Sequence, residues 1–226
     1  MKRKLFLILF LLCLPNVLFA ENAVSTGETL KYAIKKLRMK VGEAEFVFTG
    51  PAKKNDQDVL FLTFRSKGFQ FNDEEKLFLD PATYRPLFVD RDINLFGKVE
   101  KISEVYAKDI GSVKITKTTK SGKEEQVISK SSPLENIYGF IYHYRQSGSF
   151  KTGERINLNL PTKNVVMRVK SNVQLKLNGK VYGAYYLESD GGEYKVWFSA
   201  DDKKIPLRIE GAIGFGKTYL VYVPEK

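Results

Sequence analysis

A glycine-rich motif near the C-terminus has the spacing of a phosphate-binding loop. Residues 211–218 read G-A-I-G-F-G-K-T and fit the pattern G-x-x-x-x-G-K-[ST]. Such a loop holds phosphates only when a helix follows it, because the helix N-terminus supplies amide groups and a dipole. Here Thr218 is followed by Y-L-V-Y-V, which has the alternation of a strand. We therefore interpret the glycines as a bend between two strands and predict no nucleotide.

Other residue types suited to catalysis or metal binding are scattered. The acidic run at 73–75 (D-E-E) and the pair Asp201-Asp202 are predicted to be solvated turns. His143 is the only histidine, and no G-x-S-x-G motif offers it a serine partner. With no second histidine and no cysteine outside the first 20 residues, no metal site is predicted. We expect no catalytic residue and no cofactor.

Aromatic residues form a more suggestive pattern. They are concentrated at 138–144 and at 182–198. Tyrosine and tryptophan suit the walls of a ligand cavity, because each offers an apolar ring and one polar group. A neighbouring arginine could pair with an anionic headgroup. The predicted ligand-binding residues are Tyr138, Tyr142, Arg145, Tyr185 and Trp197. The alternative interpretation is that these aromatic side chains are core.

Most of the chain that would position these residues alternates with a period of two, as strands do. Leu30, Tyr32 and Ile34 share one face near the start of this region. The same alternation continues after residue 150, and Asn178-Gly179 is the strongest hairpin signal. Strands joined by such tight turns must be antiparallel.

One segment follows helical spacing instead. Ser132-Pro133-Leu134-Glu135 fits a capping box with proline at the first helical position. Apolar residues then recur three and four apart until Ser147-Gly148. The sequence therefore predicts an all-β fold, a curved antiparallel sheet or open β-barrel-like domain, with one helix near residues 132–146 that plugs or covers the sheet.

The N-terminus has the features of a secretory signal. Three basic residues precede an apolar run at 5–14, and Ala20 is a small residue at a suitable cleavage position. We predict a signal peptide at 1–20, followed by a single antiparallel β domain at 21–226. A retained membrane anchor is the alternative. Cleavage would remove Cys13, the only cysteine. The signal predicts export from the cytoplasm.

The exported chain would be strongly basic. The formal net charge is +11, and removal of Lys2, Arg3 and Lys4 leaves +8. Such a charge favours acidic lipid headgroups, lipopolysaccharide or acidic glycans as partners. Lysine-rich solvent faces are the alternative explanation. Nucleic acid is not expected, because the chain has no recognisable binding motif.

Several ordered motifs are similar to one family of proteins. They include G-E-T-L-K-Y at 27–32, D-P-A-T-Y-R-P at 80–86 and K-I-P-L-R at 204–208. Further similar motifs are V-G-E-A at 41–44, the segment 134–145 with Gly153-Glu154, and V-W-F-S at 196–199. Over about residues 25–223 the chain resembles the domain-of-unknown-function 3108 family of exported Gram-negative proteins. The resemblance implies an all-β, barrel-like periplasmic domain and no reaction.

These features lead to three functional hypotheses. The first is a non-enzymatic envelope protein that binds a lipid or another amphipathic ligand in a β half-barrel. The second is a structural or adaptor module for envelope assembly, which would hold a protein partner. The third is a glycan or lipid hydrolase, which would need paired carboxylates in one cleft.

Overall fold

The computed structural model describes residues 23–211 and 218–225. The predicted signal peptide and residues 212–217 of the glycine-rich motif lie outside the described residues. Thr218 begins a strand, as predicted, and not a helix. The helix α1 is Ile137–Ser147. The strands are β1 (Glu28–Lys36), β2 (Met39–Lys54), β3 (Gln57–Gly68), β4 (Phe71–Leu79), β5 (Pro86–Leu95), β6 (Lys98–Ala107), β7 (Gly111–Thr119), β8 (Gly122–Lys130), β9 (Arg155–Leu160), β10 (Lys163–Leu177), β11 (Lys180–Ser189), β12 (Lys195–Ser199), β13 (Pro206–Glu210) and β14 (Thr218–Val223).

All of these strands join one antiparallel sheet. Its order is β8-β7-β6-β5-β4-β3-β2-β1-β14-β13-β12-β11-β10-β9. Strands that are consecutive in sequence pair with each other, and β1 also pairs with β14. The sheet is curved but not closed, because β8 and β9 form its two edges and do not pair with each other. In sequence, α1 lies between these two edge strands. The predicted fold class is confirmed.

The main core lies between α1 and the face of the sheet that contacts it, which we name the inner face. Alternate residues of the strands point to this face, and Phe46, Leu62, Leu77 and Phe198 are completely buried there beside Ile141 of α1. Burial of each large apolar side chain contributes roughly 1.5–3 kcal/mol. The apolar alternation of the sequence therefore determines which face of the sheet receives the helix.

A smaller core lies on the opposite face, because the register of β10 changes. A β-bulge between Val169 and Ser171 shifts the pairing of β10 with β11. Beyond the bulge, Leu177 packs with Leu207 and Val221 in a separate cluster. Simple alternation would place residues 173–177 on the same face as 165–169. The bulge reverses this expectation for the distal half of the hairpin.

The helix begins at Ile137, later than the capping box indicated. Its N-cap is Asn136, whose side chain accepts hydrogen bonds from backbone amides of the first turn. The predicted cap, Ser132, instead receives a hydrogen bond from the Asn159 amide through its carbonyl oxygen at 2.6 Å. Glu135 exchanges two bonds with the Asn159 backbone, each 2.9 Å long. The segment before the helix is therefore fastened to β9.

The two edge strands are strongly staggered. The ammonium group of Lys130, at the end of β8, donates to the carbonyl of Leu160 at 2.5 Å and to Asn164 at 3.0 Å. Leu160 is the last residue of β9 and lies next to the β9–β10 turn. The end of β8 is therefore level with the β9–β10 turn, and the rest of β8 extends past it.

Candidate functional site

Two of the predicted ligand-binding residues lie in the main core. The ring of Tyr138 is 4.6 Å from Phe64 and 5.1 Å from Phe46, measured between centroids. The ring of Tyr142 stacks on Phe48 at 5.5 Å. Both tyrosines are buried, and burial raises the pKa of each hydroxyl. These rings fill the space between helix and sheet.

Arg145 occupies a buried ion pair near the C-terminal end of α1. Its two terminal nitrogens donate to the carboxylate of Glu28 at 2.6 and 2.8 Å. It also donates to the carbonyl oxygens of Ala23 at 2.9 Å and Lys203 at 3.1 Å. Burial alone would lower the pKa of Arg145, but Glu28 raises it above its ordinary value. The guanidinium therefore connects α1 to β1 and to the segments beside it.

Tyr185 and Trp197 lie apart from this group. Tyr185 is half-buried on the inner face, with its ring 4.8 Å from that of Phe150. Trp197 is on the opposite face, where it stacks on Tyr186 at 4.7 Å with the Arg208 guanidinium 5.1 Å from its ring. The five predicted residues do not share one surface, and their role in ligand binding stays a prediction.

The inner face also carries a polar cluster that we name the Arg91 cluster: Asp73, Glu75, Arg91 and Asn136. Residues 73–75 are part of strand β4, so the prediction of a solvated turn is wrong for Asp73 and Glu75. These two residues are 1% and 7% exposed. Arg91 donates to both oxygens of Asp73 at 2.9 and 2.6 Å. The amide of Asn136, the helix N-cap, donates to Glu75 at 3.1 Å.

The two carboxylates of this cluster share one cation. Asp73 forms both close hydrogen bonds with Arg91, whereas Glu75 is 3.7 Å from the same guanidinium. Burial raises the pKa of Glu75 from 4.5 to about 7, although Arg91 and Asn136 oppose the rise. Burial also raises the pKa of Glu104, on the neighbouring strand. Glu75 therefore titrates near neutral pH at the point where α1 joins the sheet.

A stripe of isoleucines crosses the inner face beyond the Arg91 cluster. In the observed register, Ile93 is opposite Glu100, Ile102 is opposite Lys117, and Ile115 is opposite Gln126. Each isoleucine is therefore the diagonal neighbour of the one on the next strand. All four isoleucines of this stripe are only half-buried. The isoleucine stripe consists of Ile93, Ile102, Ile115 and Ile128.

The stagger of the edges explains why this stripe is accessible. Strand β9 ends level with Lys130. Among the described residues, no strand therefore faces the parts of β5–β8 between that level and the tips of their hairpins. Inner-face residues nearer α1, such as Val89 and Val113, are buried. Those farther along the same strands, such as Ile93 and Lys117, are half-exposed. The stripe is therefore an apolar surface that the fold leaves partly open.

Comparison with known proteins supplies a family and no reaction. The model of the family described as "Protein of unknown function (DUF3108)" matches residues 29–221. The chain belongs to the DUF3108 family. No curated protein and no solved structure matches it. The matched range begins in β1 and ends in β14, so the family match covers at least part of every strand and all of α1.

Within the described part of this DUF3108 domain, no helix is long and apolar enough to cross a bilayer. Residues 23–211 and 218–225 also contain no group of three or more histidine, cysteine or acidic side chains that could hold a metal ion. Sequence reasoning missed the Arg91 cluster and the isoleucine stripe. A signal for the cluster was present, since Asp73 and Glu75 alternate with Leu77 and Leu79 on one face.

Proposed function

We propose that this protein is an exported, non-enzymatic component of the Gram-negative periplasm that binds a lipid or a similar amphipathic ligand. The binding surface is the isoleucine stripe, rather than the buried aromatic residues around α1. One observation carries the proposal: four isoleucines on the inner face are only half-buried, Ile93 and Ile102 apart from the main core and Ile115 and Ile128 at its margin.

The stripe has the dimensions of an extended acyl chain. Diagonal neighbours on adjacent strands are about 7–8 Å apart, so four residues span roughly 20 Å. A ligand lying along the stripe would remove part of four large apolar side chains from water, which is the main source of affinity for an apolar ligand.

Charged residues beside the stripe suit an amphipathic ligand better than a purely apolar one. Lys117 and Glu100 form an ion pair of 2.9 Å next to Ile102. Farther along the same strands, Lys98 and Lys120 are exposed and form no ion pair with any described residue. These lysines would contact an anionic headgroup while the acyl chain covers the isoleucines.

Native mass spectrometry of the mature protein, purified gently from its own envelope fraction, tests the proposal. We expect a discrete added mass that organic solvent releases and that is identified as a lipid. Ile102→Asp should abolish it, because a carboxylate would be placed in the middle of the stripe. Val105→Asp is the matched control, since Val105 is on the same strand but points to the opposite face.

Two results would overturn the proposal. One is a wild-type protein that stays unliganded after incubation with total envelope lipids. The other is a lipid adduct that persists in the Ile102→Asp variant while circular dichroism shows a native fold. In the control Val105→Asp, we expect the lipid adduct to persist. Its loss there would show that added negative charge anywhere on the strand removes the lipid, which would contradict the proposal.

An adaptor role is a second candidate, favoured by the unpaired edge of β8. This strand is exposed from Gly122 to Val127 and could accept a partner strand. However, Lys123 and two glutamates occupy the same segment, as in edge strands that avoid pairing. A hydrolase is less well supported, because Asp73 and Glu75 are already bonded to Arg91 and Asn136.

A further inference from the structure

Three neighbouring hairpins expose large apolar side chains at one end of the sheet. The turns at 37–38, 69–70 and 96–97 all lie at the same end of β1–β6, which we name the tip end. Leu37 and Phe69 are each 81% exposed, and Phe96 is 67% exposed. Met39 follows Leu37 and is also exposed. The amide of Phe96 donates to the carbonyl of Gln70 at 2.8 Å, so two of these turns are in direct contact.

The fold itself does not need these side chains. Leu37 has φ 49°, Arg38 has φ 70° and Phe96 has φ 52°. Asparagine, aspartate and glycine are the residues favoured at such turn positions, since bulky side chains are strained there. The two tight hairpin turns at the opposite end, Asn55-Asp56 and Asn178-Gly179, use the favoured types. Apolar residues that are both strained and exposed indicate a contact outside the chain.

The charges around these turns identify the partner. Residues 35–40, 67–72 and 94–99 contain six lysines and arginines and no acidic residue. At the opposite end, segment 53–58 of the β2–β3 hairpin carries Asp56 and Asp58 beside Lys53 and Lys54, so its charges balance. Exposed apolar residues among basic ones are typical of surfaces that contact anionic membranes.

We propose that the tip end is a membrane-contact surface for anionic lipid bilayers. Leu37, Phe69 and Phe96 enter the interface between headgroups and acyl chains. The surrounding lysines and arginines, with Arg38 at the outermost turn, bind the lipid phosphates. The β1–β2 hairpin extends three residues past the pairing of Gly42 with Gly68, roughly 10 Å, so Leu37 projects farthest. This surface contains none of the four isoleucines of the stripe, although Lys98 borders both surfaces.

Flotation with vesicles of phosphatidylglycerol and phosphatidylethanolamine tests this proposal on the mature chain. We expect the protein to float with these vesicles, to float much less with phosphatidylcholine vesicles, and to be released by salt. Leu37→Asn and Phe96→Asn should each weaken binding by about tenfold. Both substitutions place a favoured residue in a strained turn, so loss of binding could not be attributed to unfolding.

Ile110→Asn is the matched control, because Ile110 is 69% exposed but lies at the opposite end of the sheet. It should bind vesicles like the wild type. The proposal is wrong if the wild type does not float with phosphatidylglycerol vesicles. It is also wrong if Leu37→Asn and Phe96→Asn bind these vesicles as well as Ile110→Asn does. Leu37→Asn should keep its co-purified lipid in mass spectrometry, and Ile102→Asp should still float. The two proposals therefore fail independently.

Discussion

Replacement of Glu75 by glutamine should make the protein more stable above neutral pH and change little in mild acid. Glu75 is buried in the Arg91 cluster, and its pKa is raised from 4.5 to about 7. The folded chain therefore binds this proton more tightly than the unfolded chain does. Between these two pH values folding takes up a proton, so the free energy of unfolding decreases as pH rises through this window.

The size of the effect follows from the two pKa values. One pKa unit corresponds to about 1.4 kcal/mol, so the rise at Glu75 costs about 3 kcal/mol once the carboxyl is ionised. Glutamine resembles the protonated acid and can still accept the hydrogen bond from Asn136. Relative to the wild type, Glu75→Gln should raise the free energy of unfolding by about 3 kcal/mol near pH 8 and by less than about 1 kcal/mol near pH 5. For a domain of this size, the gain raises Tm by roughly 6–12 °C.

Urea unfolding followed by circular dichroism at several pH values measures this difference. Glu104 has a raised pKa as well, and its charge adds to the rise at Glu75, so the measured difference includes this coupling. Glu74→Gln is the matched control on the opposite face of β4, where the hydrogen bond from Arg65 lowers the pKa of the carboxyl. That variant should gain no stability at high pH. A stability difference for Glu75→Gln that does not change with pH would refute the reasoning.

Three further changes test the contacts of α1 and the second face. Arg145→Met should destabilise the fold by about 3–5 kcal/mol in urea unfolding, because Glu28 would stay partly buried without its cation; adding Glu28→Gln should recover part of this loss, and a purely additive double variant would contradict the pairing. Asn136→Ala should cost about 1–2 kcal/mol by removing the N-cap, whereas Asn136→Ser should cost less. Trp197→Leu should lower Tm yet leave the lipid adduct in mass spectrometry unchanged, since Trp197 is on the face away from the isoleucine stripe; loss of the adduct would argue against the stripe as the binding surface.

Local features of the fold were predictable from the sequence because they depend on neighbouring residues. Alternation identified strands such as β1, and Asn178-Gly179 forms the turn expected of it, with φ 48° and 82°. The helix was predictable in position but not in its first residue. Its cap was decided by Asn159, a residue more than 20 positions away, which bonds Ser132 and so prevents it from capping.

The candidate site was much less predictable, because its residues meet only through the sheet. Arg145 pairs with Glu28, which lies 117 positions earlier in the chain, so no local pattern could indicate this contact. The exposure of the isoleucine stripe depends on the stagger between β8 and β9, which no local pattern encodes. The bulge at Val169 likewise reverses a face without any glycine or proline to indicate it.

The two proposed surfaces are related by the direction in which the sheet opens. Lys130 fastens β8 to β9 only at the end of β8 that is far from its turn. Among the described residues, the rest of β8 does not pair with β9. This part of β8 and the exposed part of the isoleucine stripe therefore lie toward the tip end of β5–β8. A lipid leaving a bilayer held at the tip end could reach the stripe without passing through the core. The Arg91 cluster lies at the inner limit of this route, because Ile102 is opposite Arg91 in the sheet. Ionisation of Glu75 would thus act on the junction of α1 with the sheet at the point where a bound acyl chain would end.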